Sequence, residues 1–184
     1  RLQGDWSSDV CSSDLDDTWL YVGFHHPDVS LGGSQHYLWL YAGGRLAAGA
    51  PLGVLYNTQQ PVLSPIFQTH VRWRANHTFN SRLSWASGAW GAEVISYLFT
   101  SGSIVENHAN NVVEMRMPLS DLTQTTLLPL ALGWVLTTTG LERTYAGVPP
   151  VAFTDGYDPD LRAWYAFDLT STAEPNTYLP VQVP

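Results

Sequence analysis

The side chains with most to offer chemically are aromatic: Trp19, Tyr21, Tyr37, Trp39, Tyr41, Trp73, Trp85, Trp90, Trp134 and Trp164. Flat rings that share a groove suit the apolar faces of sugars, with polar neighbours binding the hydroxyls. Tyr37, Trp39 and Tyr41 alternate with His36, Leu38 and Leu40, so three rings share one face of a strand, and either face can be the core. Rings in such patterns mostly fill β-sandwich interiors. Trp90 is different. Ser87-Gly88 precedes it and Gly91 follows it, which puts it in a turn, where its ring is expected to be exposed. Trp90, Trp39, Tyr37, Tyr41 and Trp85 are the predicted ligand-binding set.

The second set of reactive groups is less organised. His25-His26 precede Pro27, and adjacent side chains point to opposite sides of an extended chain, so the pair is a poor chelate. His36, His70, His77 and His108 are scattered. Asp155-Gly156-Tyr157-Asp158-Pro159-Asp160 places three carboxylates within a bend made by Gly and Pro. Asp155, Asp158 and Asp160 are the predicted metal ligands, for a hard cation such as calcium in a structural role. The segment lacks the length and terminal Glu of an EF-hand loop, and a solvated acidic turn is the alternative.

Signatures of catalysis are missing. There is no Gly-x-Ser-x-Gly elbow, His-Glu-x-x-His helix or phosphate-binding Gly loop. Nothing in the spacing sets two of Glu93, Glu106, Glu114 and Asp121 across a sugar. The expectation is a non-catalytic protein. Asn76-His77-Thr78 fits a glycosylation sequon, which matters only in a source that glycosylates secreted proteins.

The elements that must position these groups read as strands. Val113, Met115 and Met117 alternate with Glu114 and Arg116, one face apolar and the other charged. Pro118 removes a backbone donor and closes the pairing, Ser120-Asp121 is a short turn, and Leu122 can drop back onto the core. Further strands are predicted near 18–24, 35–42, 66–74, 81–86, 93–99, 103–106, 130–137 and 163–169. Ser87-Gly88 and Ser101-Gly102 are predicted hairpin turns, and residues 57 to 65 a connection. No window shows a 3.6-residue period, and the strand spacing predicts an antiparallel β-sandwich, jelly-roll or immunoglobulin-like.

The chain has 184 residues, enough for one domain with a sizeable core. Hydrophobic residues make up 45% and aromatic ones 12%, which predicts folding rather than disorder. Every basic residue is Arg, none is clustered, and the net charge is −8, which argues against nucleic acid and anionic membranes as partners. No apolar run approaches the roughly 20 residues of a membrane-spanning helix.

Several of these strands carry a resemblance. Glu114-Met115-Arg116-Met117 running into Pro118-Leu119-Ser120-Asp121-Leu122 resembles the late strand of family 9 carbohydrate-binding modules and the related DOMON-like sandwiches. Asp17-Thr18-Trp19-Leu20-Tyr21-Val22-Gly23-Phe24 is similar to that superfamily's early strand. Gln35 to Tyr41 is similar to the next strand, and Leu130 to Leu136 to the strand after the Pro-Leu-Ser turn. The resemblance covers about residues 16 to 137. It implies a carbohydrate-binding β-sandwich, with polysaccharide or glycan as the partner. Sugar sites of family 9 modules use paired tryptophans with Asn, Gln and charged residues, and no residue-by-residue match to that set is visible. Some DOMON-like domains hold haem between a Met and a His. Met115 and Met117 permit that pairing, although core filling is the plainer role of methionines on an apolar strand face.

Residues 5 to 15, Asp-Trp-Ser-Ser-Asp-Val-Cys-Ser-Ser-Asp-Leu, resemble the translation of a common short-read sequencing adapter. Residues 1–15 are therefore set aside as non-native. That removes Cys11, the only cysteine, and with it any statement about redox compartment. Seven arginines against thirteen acids remain, a net of −6, so the chain stays acidic. The β-sandwich domain is expected over 16–172, lacking an N-terminal strand and leaving an edge open. Residues 173–184, rich in proline, are expected to begin a linker to a neighbouring domain. Together these readings describe a binding module of a larger bacterial protein, secreted or on the cell surface. A structural or adhesion sandwich without a small-molecule site is the first alternative, and a haem-binding electron carrier the second.

Overall fold

A computed structural model describes residues 2–6, 11–15, 18–25, 36–44, 49–75, 79–122, 130–138, 143–149, 160–161, 163–167 and 177–180. The strands in the first half are β1 (Leu2–Trp6), β2 (Cys11–Leu15), β3 (Trp19–His25), β4 (His36–Gly43), β5 (Val62–Leu63), β6 (Phe67–Arg74), β7 (Asn80–Ala86), β8 (Ala89–Trp90) and β9 (Val94–Ile95). A one-turn helix α1 (Tyr97–Thr100) follows, then β10 (Ser103–Asn107), β11 (Val112–Pro118) and a second short helix α2 (Leu119–Leu122). The remaining strands are β12 (Leu130–Thr138), β13 (Arg143–Val148), β14 (Asp160–Leu161), β15 (Ala163–Phe167) and β16 (Thr177–Pro180).

One sheet runs β1-β2-β3-β11-β10, and a larger one runs β16-β15-β12-β4-β6-β7-β8, with β13 on β12 and β9 on β7. All neighbours in both sheets are antiparallel. The alternation on β11 sets the packing. Val113, Met115 and Met117 are buried and stand opposite Phe24, Val22 and Leu20 of β3, while Glu114 and Arg116 face solvent. The Arg116 guanidinium lies 4.6 Å over the Trp19 ring on that outer face. The inward residues of both strands meet Leu38, Leu40, Val71, Trp73, Leu130 and Leu132 of the larger sheet. This shared interior makes the fold an antiparallel β-sandwich.

The larger sheet has a second buried face. Trp39, Tyr41, Phe67, Ala131, Val135, Trp164 and Ala166 pack beneath Ala50, Leu63 and Ile66. These last residues belong to a strap, residues 49–66, that doubles back on itself. Ala50 N–H donates to Phe67 O at 2.8 Å, Leu63 N–H to Pro51 O at 2.9 Å and Gly53 N–H to Pro61 O at 2.7 Å. At Gly53 a Cβ would stand 2.5 Å from the Tyr41 hydroxyl, so only glycine lets the strap lie this close. A short parallel ladder, β14 on β5, ties the strap to the late part of the chain.

Four features differ from the sequence reading. The predicted strand 93–99 ends at Ile95, because Ser96 takes a left-handed backbone (φ 61) and the Asn80 carboxamide accepts the Leu98 N–H at 2.7 Å, turning the chain into α1. Ser120-Asp121 lies within α2 rather than in a simple turn, and Leu122 is fully buried. Residues set aside at the N-terminus form β1 and β2, and β2 lies along β3 where an open edge was expected. An edge strand offers unpaired N–H and C=O groups that an extended segment can satisfy with backbone alone. Within the stretch read as a linker, Thr177–Pro180 forms β16 on β15.

Candidate functional site

The predicted turn at Ser87-Gly88 is formed. Both residues have positive φ (54° and 82°), the backbone of a tight two-residue hairpin whose twist matches the strands. It sets Trp85 opposite Trp90 across β7 and β8. The two indoles meet edge to face, with centroids 5.5 Å apart and planes at 67°. Both rings are half-buried, so Trp90 is less exposed than its turn position suggests. Its Nε1–H donates to the Leu52 carbonyl of the strap at 2.9 Å. Beside this corner the strap leaves Leu52 and Leu55 exposed, at 44% and 55%.

Behind the tryptophan pair lies His70 of β6, fully buried. Its Nδ1 is 3.1 Å from the Leu40 carbonyl, which can only accept, so Nδ1 carries the proton. Nε2, 3.1 Å from the Tyr56 hydroxyl, is then the acceptor. Burial, reinforced by the nearby Arg72 charge, holds the imidazole neutral and lowers its pKa from 6.5 to about 3. Tyr41 stacks on the ring at 4.4 Å, and Trp90 meets it at 6.2 Å and 68°. Burial pushes the Tyr41 and Tyr56 phenols far above the ordinary range, so both stay protonated.

Arg72, next outward on the same strand face, lies 3.7 Å over the Tyr56 ring and 4.5 Å over Phe79. Its guanidinium pairs with Glu93 at 3.1 Å, and Glu93 also accepts from the Ser81 hydroxyl at 2.6 Å. Across the strap, Thr137 donates to Gln59 Oε1 at 3.0 Å. These contacts fix the strap and, through Leu52, the Trp90 ring.

The predicted ligand-binding set divides in two. Trp39 and Tyr41 have no exposed surface and belong to the interior beneath the strap; Tyr37, Trp85 and Trp90 are half-buried around its rim. Of the predicted metal ligands, Asp155 and Asp158 lie outside the described residues. Asp160 is half-buried at the start of β14. No group of three His, Cys, Asp or Glu side chains is gathered among the described residues. Met115 and Met117 are buried in the interior between the sheets, while His70 belongs to the opposite face of the larger sheet.

The four carboxylates weighed as a hydrolytic pair have separate settings. Glu93 serves Arg72, and Glu114 faces solvent on the smaller sheet. Glu106 points between the sheets, accepting from Trp73 Nε1 at 2.8 Å and meeting His108 at 3.0 Å. Asp121 lies in α2, where its backbone carbonyl accepts from Thr69 and Arg82. In the sequence His70 is one of several scattered histidines, and no motif there marks Tyr56 or Arg72. The alternation of Gln68, His70, Arg72 and Arg74 with Thr69, Val71 and Trp73 is the signal that places His70 and Arg72 on the aromatic face. No local signal brings Tyr56 to them, since the strap's partners are distant in sequence. No known family model matches the chain, and no curated protein matches it.

Proposed function

We propose that this chain is a non-catalytic, extracellular binding module of a larger protein, and that it binds carbohydrate through Trp85 and Trp90. The single observation that carries the reading is the pairing of these two rings at the accessible end of a rigid aromatic layer. Half-exposed indoles held in place offer apolar faces to the C–H surface of a sugar and lose little entropy on binding. The resemblance of four strands, in order, to family 9 carbohydrate-binding modules and DOMON-like sandwiches supports the same reading.

The structural or adhesion alternative draws support from Trp39 and Tyr41, whose rings are wholly used in packing. Affinity electrophoresis of the 184-residue chain through gels containing different soluble polysaccharides, with and without a calcium chelator, separates the two. Retardation by one glycan, weakened in a folded Trp90→Ala variant, is the expected result. Loss of retardation with chelator would bring in the Asp155–Asp160 segment. A folded chain that no glycan retards would favour the structural role.

A further inference from the structure

We propose that the Trp85–Trp90 corner selects single soluble glycan chains over crystalline polysaccharide surfaces; this rests on the carbohydrate-binding reading above. A crystalline surface is flat, and gripping it takes rings that lie in one plane. Here the indole planes stand at 67°, with centroids only 5.5 Å apart, so a flat sheet of sugars meets one ring face at a time. A solvated chain turns about its glycosidic bonds from one sugar to the next. Consecutive sugars can therefore present apolar faces at an angle, one to each indole.

The corner cannot flatten without breaking its supports. Trp90 is pinned through Nε1 to the Leu52 carbonyl, and its ring abuts Tyr41 and His70 at 6.2 Å each. His70 is itself held at both nitrogens, by Leu40 and Tyr56. The Ser87-Gly88 turn fixes the register that places Trp85 opposite Trp90. Opening the angle would strip a buried imidazole of packing and leave the indole N–H without its acceptor, a cost that binding must overcome. Leu52, exposed and tied to Trp90 through its carbonyl, adds apolar surface beside the corner, which suits a chain more than an isolated sugar.

The test compares two forms of polymer with one protein. The full chain is run through gels containing mixed-linkage β-glucan, xyloglucan or glucomannan, and is separately mixed with microcrystalline cellulose and crystalline chitin and centrifuged. The expected result is retardation by at least one soluble polymer and no depletion by either solid. Trp85→Ala and Trp90→Ala, each shown folded by circular dichroism, should weaken the retardation about tenfold or more. Depletion by cellulose or chitin, whether or not a soluble polymer also binds, overturns the selectivity and leaves carbohydrate binding standing. Retardation that neither substitution weakens overturns the assignment to this corner. A folded chain held by no gel and no solid overturns both the selectivity and the carbohydrate reading.

Discussion

Leu40 and Trp39 are neighbours on β4, yet they enter different interiors. Leu40 points between the sheets, into a core mostly of Leu, Val and Met side chains, with Phe24, Trp73, Tyr97 and Tyr165 among them. Trp39 points under the strap, among Tyr41, Tyr56 and the buried His70. The first interior is held mainly by area and fit, although Phe24 and Trp73 meet edge to face at 72° within it, and around Leu40 it tolerates exchange among side chains of similar volume. The second is held by ring angles and hydrogen bonds, and its members have little freedom to move singly. The difference explains where a binding site can sit. A layer whose groups are tied by hydrogen bonds and ring contacts can hold Trp85 and Trp90 at a set angle.

The largest effect should come from the aliphatic side. Leu40→Ala is expected to cost about 2–5 kcal/mol in urea unfolding at an unchanged m-value, and Leu40→Met less than about 1.5 kcal/mol. If the methionine variant lost as much as the alanine one, the contrast between a fit-tolerant core and a directional layer would collapse.

The next effect belongs to the strap layer and follows pH. Unfolded, His70 takes up a proton near pH 6.5; folded, it stays neutral down to about 3. In that window the unfolded chain binds the extra proton, so His70's contribution is whole above 6.5 and falls as the pH drops towards 3. Thermal melts of wild type and His70→Gln across this range should diverge most at neutral pH and converge in acid. Parallel curves would mean that the imidazole is not held neutral by burial.

The third effect concerns a polar contact within the core between the sheets. Glu106 reaches across the interior to the Trp73 indole and is nearly buried, its side chain 3% exposed. Glu106→Ala leaves the indole N–H without an acceptor and is expected to cost about 1–3 kcal/mol, whereas Glu106→Gln keeps an oxygen there and should cost less. Equal losses in calorimetry would show that the charge, and not the cross-sheet hydrogen bond, is what matters.

What could be read beforehand follows from the same contrast. The strand at β11 is legible because burial alternates with charge over seven residues, Glu114 and Arg116 outward and Met115 and Met117 inward. The Ser87-Gly88 turn is legible because its backbone demand is local. The stretch 93–99 misleads because its apolar residues suit a strand, whereas the left-handed backbone at Ser96 and the Asn80 side chain, from another strand, turn it into a helix. The site is half legible. Trp90 stands out by its turn, but its anchor at Leu52 and the Tyr56–His70 bond join segments far apart in the chain. The three rings of β4 could not be assigned by alternation, since both faces of that strand are buried.

The parallel pairing of Asp160-Leu161 with Val62-Leu63 joins segments separated by roughly a hundred positions. A contact of that span sets an order of events. Antiparallel hairpins such as β6–β7 can form while the chain is short, but this ladder must await the arrival of residue 161. The aromatic layer is therefore expected to be the last part of the molecule to gain protection in pulsed hydrogen exchange during refolding, with the Ser64 amide, which donates to the Leu161 carbonyl at 3.2 Å, slower than that of Val71. On a ribosome the same order would leave the tryptophan corner without its finished support until residue 161 had emerged.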